Sequence, residues 1–136
     1  MKQYLILLFL FIQIFTEKIN DDLNDFNIAR EIGGSTMKII IDCGNKSQSK
    51  CTAICKNILK EKLIYTMEEF EFKDSDLENI SKDLSTIVFS NSRTIAREKL
   101  GKRIIEGLNK PKNKKHDLKA ICIYYMKWNG LNTQKC

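Results

Sequence analysis

Cysteines at positions 51 and 55 constrain this chain more than any other feature, because they sit one helical turn apart inside an apolar stripe. Cys51, Ile54, Cys55, Ile58 and Leu59 stand at i, i+3, i+4, i+7 and i+8, the spacing that lines one face of an α-helix. Ser47 or Ser49 can cap its start. On a regular helix both thiols lean the same way along the axis, so they do not readily bond each other. Each then reaches for a cysteine on a different element. The chain has five cysteines, the others being Cys43, Cys122 and Cys136. An odd count leaves at least one free or paired between chains, so a homodimer through an unpaired cysteine stays open. Four paired cysteines allow three connectivities. Docking two amphipathic helices through their cysteine-bearing faces favours a bond from Cys51 or Cys55 to Cys122. No CxxC pair or His/Cys cluster points to zinc, and neither a metal nor a cofactor is expected.

The rest of the chain is also helical in pattern. Residues 20–32 read as a first helix, with Asp21 and Asp22 where the dipole favours acid and Leu23, Phe26 and Ile32 at near-helical spacing. Gly33-Gly34 is expected to end it. Ser35 then caps a short second helix carrying Met37, Ile40 and Ile41, although Ile39-Ile40-Ile41 reads equally as a strand. Residues 64–74 form a connector with Tyr65, Phe70 and Phe72. Ser75 with Glu78 is a capping box opening a helix with Leu77, Ile80 and Leu84. Another runs from about Ser92 to Leu108, with Ile95, Leu100, Ile104 and Leu108 nearly in line, and Gly107, Asn109 and Pro111 stop it. A lysine-rich loop, Asn109 to His116, leads to a last helix from Asp117 with Leu118, Ile121, Cys122, Tyr125 and Trp128. Asn129-Gly130 ends that helix. Strand-like alternation is nearly absent, and a single proline with six glycines is not the composition of a loop-rich knot. The expected fold class is all-α: five or six short helices in one disulfide-linked domain.

Compartment is read from residues 1–16. Lys2 supplies a positive start, and Leu5 to Ile12 is an unbroken apolar run followed by Thr16, Glu17 and Lys18. That is the length of a signal-peptide core, short of the roughly 20 residues that span a bilayer. A retained anchor is the competing reading. The expectation is a cleaved signal peptide at 1–16, a single secreted, extracellular domain at 17–136, and no stable membrane insertion after cleavage. Asn45-Lys46-Ser47 and Asn79-Ile80-Ser81 are glycosylation sequons, which agree with secretion.

Catalytic chemistry is sparse. His116 is the only histidine, which excludes a two-histidine ribonuclease, and in its lysine-rich loop it reads as exposed rather than oriented for a triad. No GxSxG, HExxH or Gly-rich phosphate loop is present. Asp21-Asp22 and Glu68-Glu69 read as surface. The chain is therefore not expected to be an enzyme. Its formal net charge of +6 permits an anionic partner. The lysines at 110, 112, 114 and 115 are not interleaved with aromatics, as stacking on single strands requires, so no nucleic acid is expected. What the chain has is apolar surplus. It either fills an ordinary core or lines a hollow for a small hydrophobic ligand, and periodicity does not separate these. The candidate ligand-binding residues on the stripes are Ile58, Phe72, Phe89, Leu100, Ile104, Ile121, Tyr125 and Trp128, with Trp128 expected to face the interior.

The stretch Cys51-Thr52-Ala53-Ile54-Cys55-Lys56-Asn57-Ile58-Leu59-Lys60-Glu61-Lys62 resembles the third helix of the insect odorant-binding proteins, which carry a Cys-x3-Cys pair there. Phe70 to Leu77 is similar to the connector that follows, and Ala29 to Ser35 to the segment after that family's first cysteine. Arg103-Ile104-Ile105-Glu106 and Leu118-Lys119-Ala120 resemble the segments around its fourth and fifth. Cys43, Cys122 and Cys136 depart from the pattern, Ala29 and Gly107 fall near positions where the family has cysteine, and the basic charge is unusual for it. The resemblance implies a divergent member with a rewired disulfide set: a helical cup carrying a small hydrophobic molecule, such as an odorant or pheromone, in extracellular fluid. The alternative is a secreted helical effector, a venom, salivary or cytokine-like factor acting on a receptor or anionic surface.

Overall fold

The first helix, α1 (residues 24–43), runs straight through two consecutive glycines. The structure, a computed structural model, describes residues 24–63, 66, 73–108 and 117–136, and within them 24–43 are one continuous helix. The break expected at Gly33-Gly34 and the separate second helix, or strand, are therefore corrected. Ile28, Ala29, Ile32, Thr36, Ile39, Ile40 and Cys43 are all buried on one face. Each glycine costs a helix about 1 kcal/mol relative to alanine, whereas burying each large side chain contributes roughly 1.5–3 kcal/mol. Packing outweighs the local signal. Ser35, expected to cap, instead donates its hydroxyl to the Glu31 carbonyl one turn back (2.9 Å).

Among the described residues four further full helices follow: α2 (Gln48–Lys62), α3 (Asp74–Ser90), α4 (Arg93–Gly107) and α5 (Leu118–Trp128), then a 3-10 turn at Thr133–Lys135. No strand occurs among the described residues. Ser47 caps α2 by accepting from the Lys50 N–H. Helix α3 starts one residue before the expected Ser75 cap. The Asp76 carboxylate accepts from the Lys73 N–H, while Glu78, expected in the capping box, turns away to pair with Lys56 of α2. Asp117 caps α5 by accepting from the Lys119 and Ala120 N–H groups. Gly130 follows α5 at φ 67°, a conformation glycine adopts without strain.

The helices pack in chain order, α2 on α3, α3 on α4 and α4 on α5. Two buried serines on α3, Ser81 and Ser85, keep its contact with α2 close; Thr52 Oγ1 lies 2.8 Å from Ser85 Oγ. Helix α1 joins this layer through a buried polar knot. The Tyr125 hydroxyl donates to the Arg97 carbonyl and lies 3.2 Å from Thr36 Oγ1. Arg97 in turn donates to the Asn129 carbonyl and side-chain oxygen (3.1 and 3.0 Å). Three helices are thus pinned around one tyrosine ring. Gly101 makes room for it, since a Cβ there would overlap the ring.

The disulfides are Cys43–Cys51 and Cys122–Cys136, with Cα–Cα distances of 5.0 and 5.8 Å. The expected bond from α2 to Cys122 is corrected. Cys51 does reach another element, the end of α1, but Cys122 takes the tail cysteine fourteen residues on. Cys55 is free and buried.

Residues 1–16, Asp21, Asp22, Leu23, Tyr65, Glu68, Glu69, Phe70, Phe72, Asn109, Pro111, His116 and the lysines at 110, 112, 114 and 115 lie outside the described residues.

Candidate functional site

The apolar stripes divide sharply once folded. Ile58, Leu100, Ile104, Ile121 and Tyr125 all belong to the core cluster, at 0–4% exposure. They pack with the other helices' apolar faces. Phe89 and Trp128 are instead surface residues, 48% and 62% exposed. For Trp128 this corrects the inward orientation expected of it. Ile121, Cys122, Tyr125 and Met126 occupy the buried face of α5, and Trp128 falls at the margin of that face. There it meets Phe26 edge-on, with ring centroids 5.9 Å apart.

Among the open grooves of the described residues, two flank the core. The larger, about 490 Å³, is walled by α4 and α5 and closed at one end by the tail. Lys102, Ile105 and Glu106 sit at i, i+3 and i+4 on α4. Leu118, Lys119 and Cys122 face them from the first turn of α5. The Cys122–Cys136 bond folds the tail back, so that Lys135 and Cys136 complete the lining. Ile105, Leu118 and the disulfide give an apolar floor. Three lysines against one glutamate give a cationic rim. Lys135 also pairs with Glu98 at 3.1 Å, whereas Lys102 and Lys119 have no carboxylate partner among the described residues. The arrangement suits a ligand with an apolar body and an anionic end. Of the eight sequence-chosen residues, the seven that are described do not line this groove, and Phe72 lies outside the described residues. Ile104 and Ile121 lie one position from Ile105 and Cys122, on the core side of the same helices. A rule that selects the most regular apolar stripe finds the core, and the groove sits at the stripe's edge.

The second groove, about 420 Å³, lies where the end of α1 meets the α3–α4 corner. Ile40, Ile41, Val88 and Phe89 line it with Arg93, its only charged residue among the described residues. Asn45, the first sequon asparagine, is exposed at its edge. Asn79 of the second sequon is exposed on α3, with Ser81 buried and donating to the Leu77 carbonyl.

Among the described residues titration is displaced at three groups, and none lines either groove. Burial pushes the Cys55 thiol up to about 12. Burial also raises the Tyr125 hydroxyl. The Lys56 ammonium, bonded to Glu78, holds that carboxyl below its ordinary value. The sulfurs of Cys43, Cys51 and Cys55 lie within 4.8 Å of one another, a proximity the sequence spacing did not reveal. Two of them are bonded to each other, and the third is held as the neutral thiol, so the cluster in this form offers no thiolate to a metal.

Comparison with known proteins finds no matching family model, no matching curated protein and no matching solved structure.

Proposed function

We propose that the protein is a secreted carrier of a small hydrophobic ligand bearing an anionic group, held in the groove between α4 and α5. The observation that carries this reading is the pairing of an apolar floor, Ile105, Leu118 and the Cys122–Cys136 bond, with a lysine rim. Its volume of about 490 Å³ falls within the roughly 300–1,000 Å³ of small-ligand sites. Two disulfides accord with an oxidising, extracellular setting, as does the apolar run at residues 5–12.

The ligand's chain leaves water against Ile105 and Leu118, a gain of roughly 25 cal/mol per Å² buried. Its anionic end meets Lys102 and Lys119 at the rim. That division places most of the affinity in a salt-independent term, with a smaller part screened by salt. A fluorescent long-chain fatty-acid probe tests it. The probe should bind saturably, Leu118→Asp should weaken it at least ten-fold, and Phe89→Asp, in the other groove, should leave it unchanged. No saturable binding, or binding indifferent to Leu118→Asp, would overturn the reading.

A further inference from the structure

Along the outer edge of α1, Phe26, Gly33, Met37 and Ile41 follow one another at spacings of seven, four and four residues. On a helix of 3.6 residues per turn they form one line about 22 Å long. Phe26 packs edge-on against Tyr124 and Trp128 of α5. Asn129 Nδ2 and Trp128 Cδ1 lie 3.5 and 3.8 Å from where a Gly33 side chain would begin, so the end of α5 covers the glycine with the indole beside it. At the far end Ile41 shares its groove with Phe89. Met37, Ile41, Phe89 and Trp128 are 44%, 64%, 48% and 62% exposed. A folded domain rarely leaves four such large apolar side chains exposed on neighbouring elements without a partner for them.

Two arginines flank this line. Arg30 falls on the same edge, between Phe26 and Met37, and Arg93 stands at the Ile41–Phe89 end. Glu31, the next residue, is turned about 100° round the helix, and its carboxylate accepts from the Thr66 hydroxyl. We propose that this α1 edge is a docking surface for an anionic lipid bilayer, with Trp128, Phe26, Met37, Ile41 and Phe89 entering the headgroup boundary and Arg30 and Arg93 meeting lipid phosphates. The partner follows from the chemistry: an exposed tryptophan, aliphatic side chains in a row and flanking arginines are what an interface-lying helix presents to acidic lipid. No described helix is long and apolar enough to cross a bilayer, so contact is peripheral. The positive net charge of the chain, +6 over its full sequence, draws the protein toward such a surface.

Trp128 is the only tryptophan, so its emission reports on this edge alone. The oxidised protein is titrated with phosphatidylcholine vesicles containing one-fifth phosphatidylglycerol, then with pure phosphatidylcholine. Blue-shifted emission and quenching by brominated acyl chains are expected with the acidic vesicles, with at least ten-fold weaker binding to the neutral ones. Met37→Asp with Ile41→Asp should raise the half-saturating lipid concentration ten-fold or more. Both sites are exposed, and an unchanged melting curve verifies the fold; Phe89→Asp repeats the test from another helix. Leu118→Asp should leave vesicle binding intact, which separates this surface from the ligand groove. No quenching by brominated lipid, or binding unaffected by the α1 and Phe89 variants, overturns the proposal. So does a lipid-independent shift that tracks protein concentration, because the edge would then be covered by a second copy.

Discussion

The same chemical change, glycine to alanine, should have opposite effects at two helical positions. Gly34 is exposed in the middle of α1, with nothing within 4 Å of a prospective Cβ. Gly34→Ala removes unfolded-chain entropy and gains helix propensity, for about 0.5–1 kcal/mol of stabilisation. At Gly101 the propensity gain is similar, but the new methyl would overlap the Tyr125 ring. That ring is fully buried and hydrogen-bonded to Arg97 on α4 and adjacent to Thr36 on α1. Overpacking costs roughly 1–3 kcal/mol, and loosening the hydroxyl's bonds adds roughly 0.5–1.5 kcal/mol. After subtracting the propensity gain, Gly101→Ala should destabilise by about 2 kcal/mol. The two variants should therefore differ by nearly 3 kcal/mol in urea denaturation, and by roughly 10 °C in melting temperature at about 4 °C per kcal/mol. Tyr125→Leu should make Gly101→Ala far less costly, since the two residues share one contact. A Gly101→Ala protein as stable as the wild type would refute the three-helix knot around Tyr125.

Other outcomes follow from the cysteines. Replacing Cys43 and Cys51 with serine opens a bridge of sequence separation 8 and should cost about 2.5 kcal/mol by loop entropy. The Cys122–Cys136 pair, separation 14, should cost about 3 kcal/mol and also release the tail from the groove; chemical denaturation reads both. Cys55 should resist alkylation in the folded protein at about pH 8 and react on unfolding, because burial keeps it as the neutral thiol up to about 12. The fold thereby binds a proton that the unfolded chain releases. The resulting stability is complete below the ordinary thiol range and is lost as pH rises toward about 12. Cys55→Ala should flatten part of that fall in urea titrations at rising pH, leaving the part contributed by Tyr125 in the same direction.

Much of the helical frame was legible because several independent signals agreed within each element. In α2 the Cys51–Leu59 stripe, the Ser47 cap and the basic last turn, Lys60 and Lys62, all point one way. In α5 the Asp117 cap and the Asn129-Gly130 end do the same. Gly33-Gly34 misled because a local break signal is worth about 1 kcal/mol per residue, less than the burial on either side of it. That burial depends on α4 and α5, which local sequence does not show. The disulfide pairing was hidden for a similar reason: apolar faces do not say which helix each will meet, and α2 meets α3 rather than α5. The candidate ligand site was the least legible part. Ile104, Leu118 and Ile121 were visible as stripe members, whereas Ile105, Lys119 and Lys135 join Leu118 in a groove only when the tail is folded back by Cys136. The exposure of Trp128 likewise depends on where α1 crosses α5.

The carrier reading is tested most directly by mapping amide shifts of the isotopically labelled, oxidised protein as a long-chain fatty acid is added. Saturable shifts are expected, centred on Ile105, Leu118, Lys119, Cys122 and Lys135, with the buried knot around Thr36 and Tyr125 unmoved. Shifts confined to other residues, or none at ligand concentrations that remain monomeric, would contradict it.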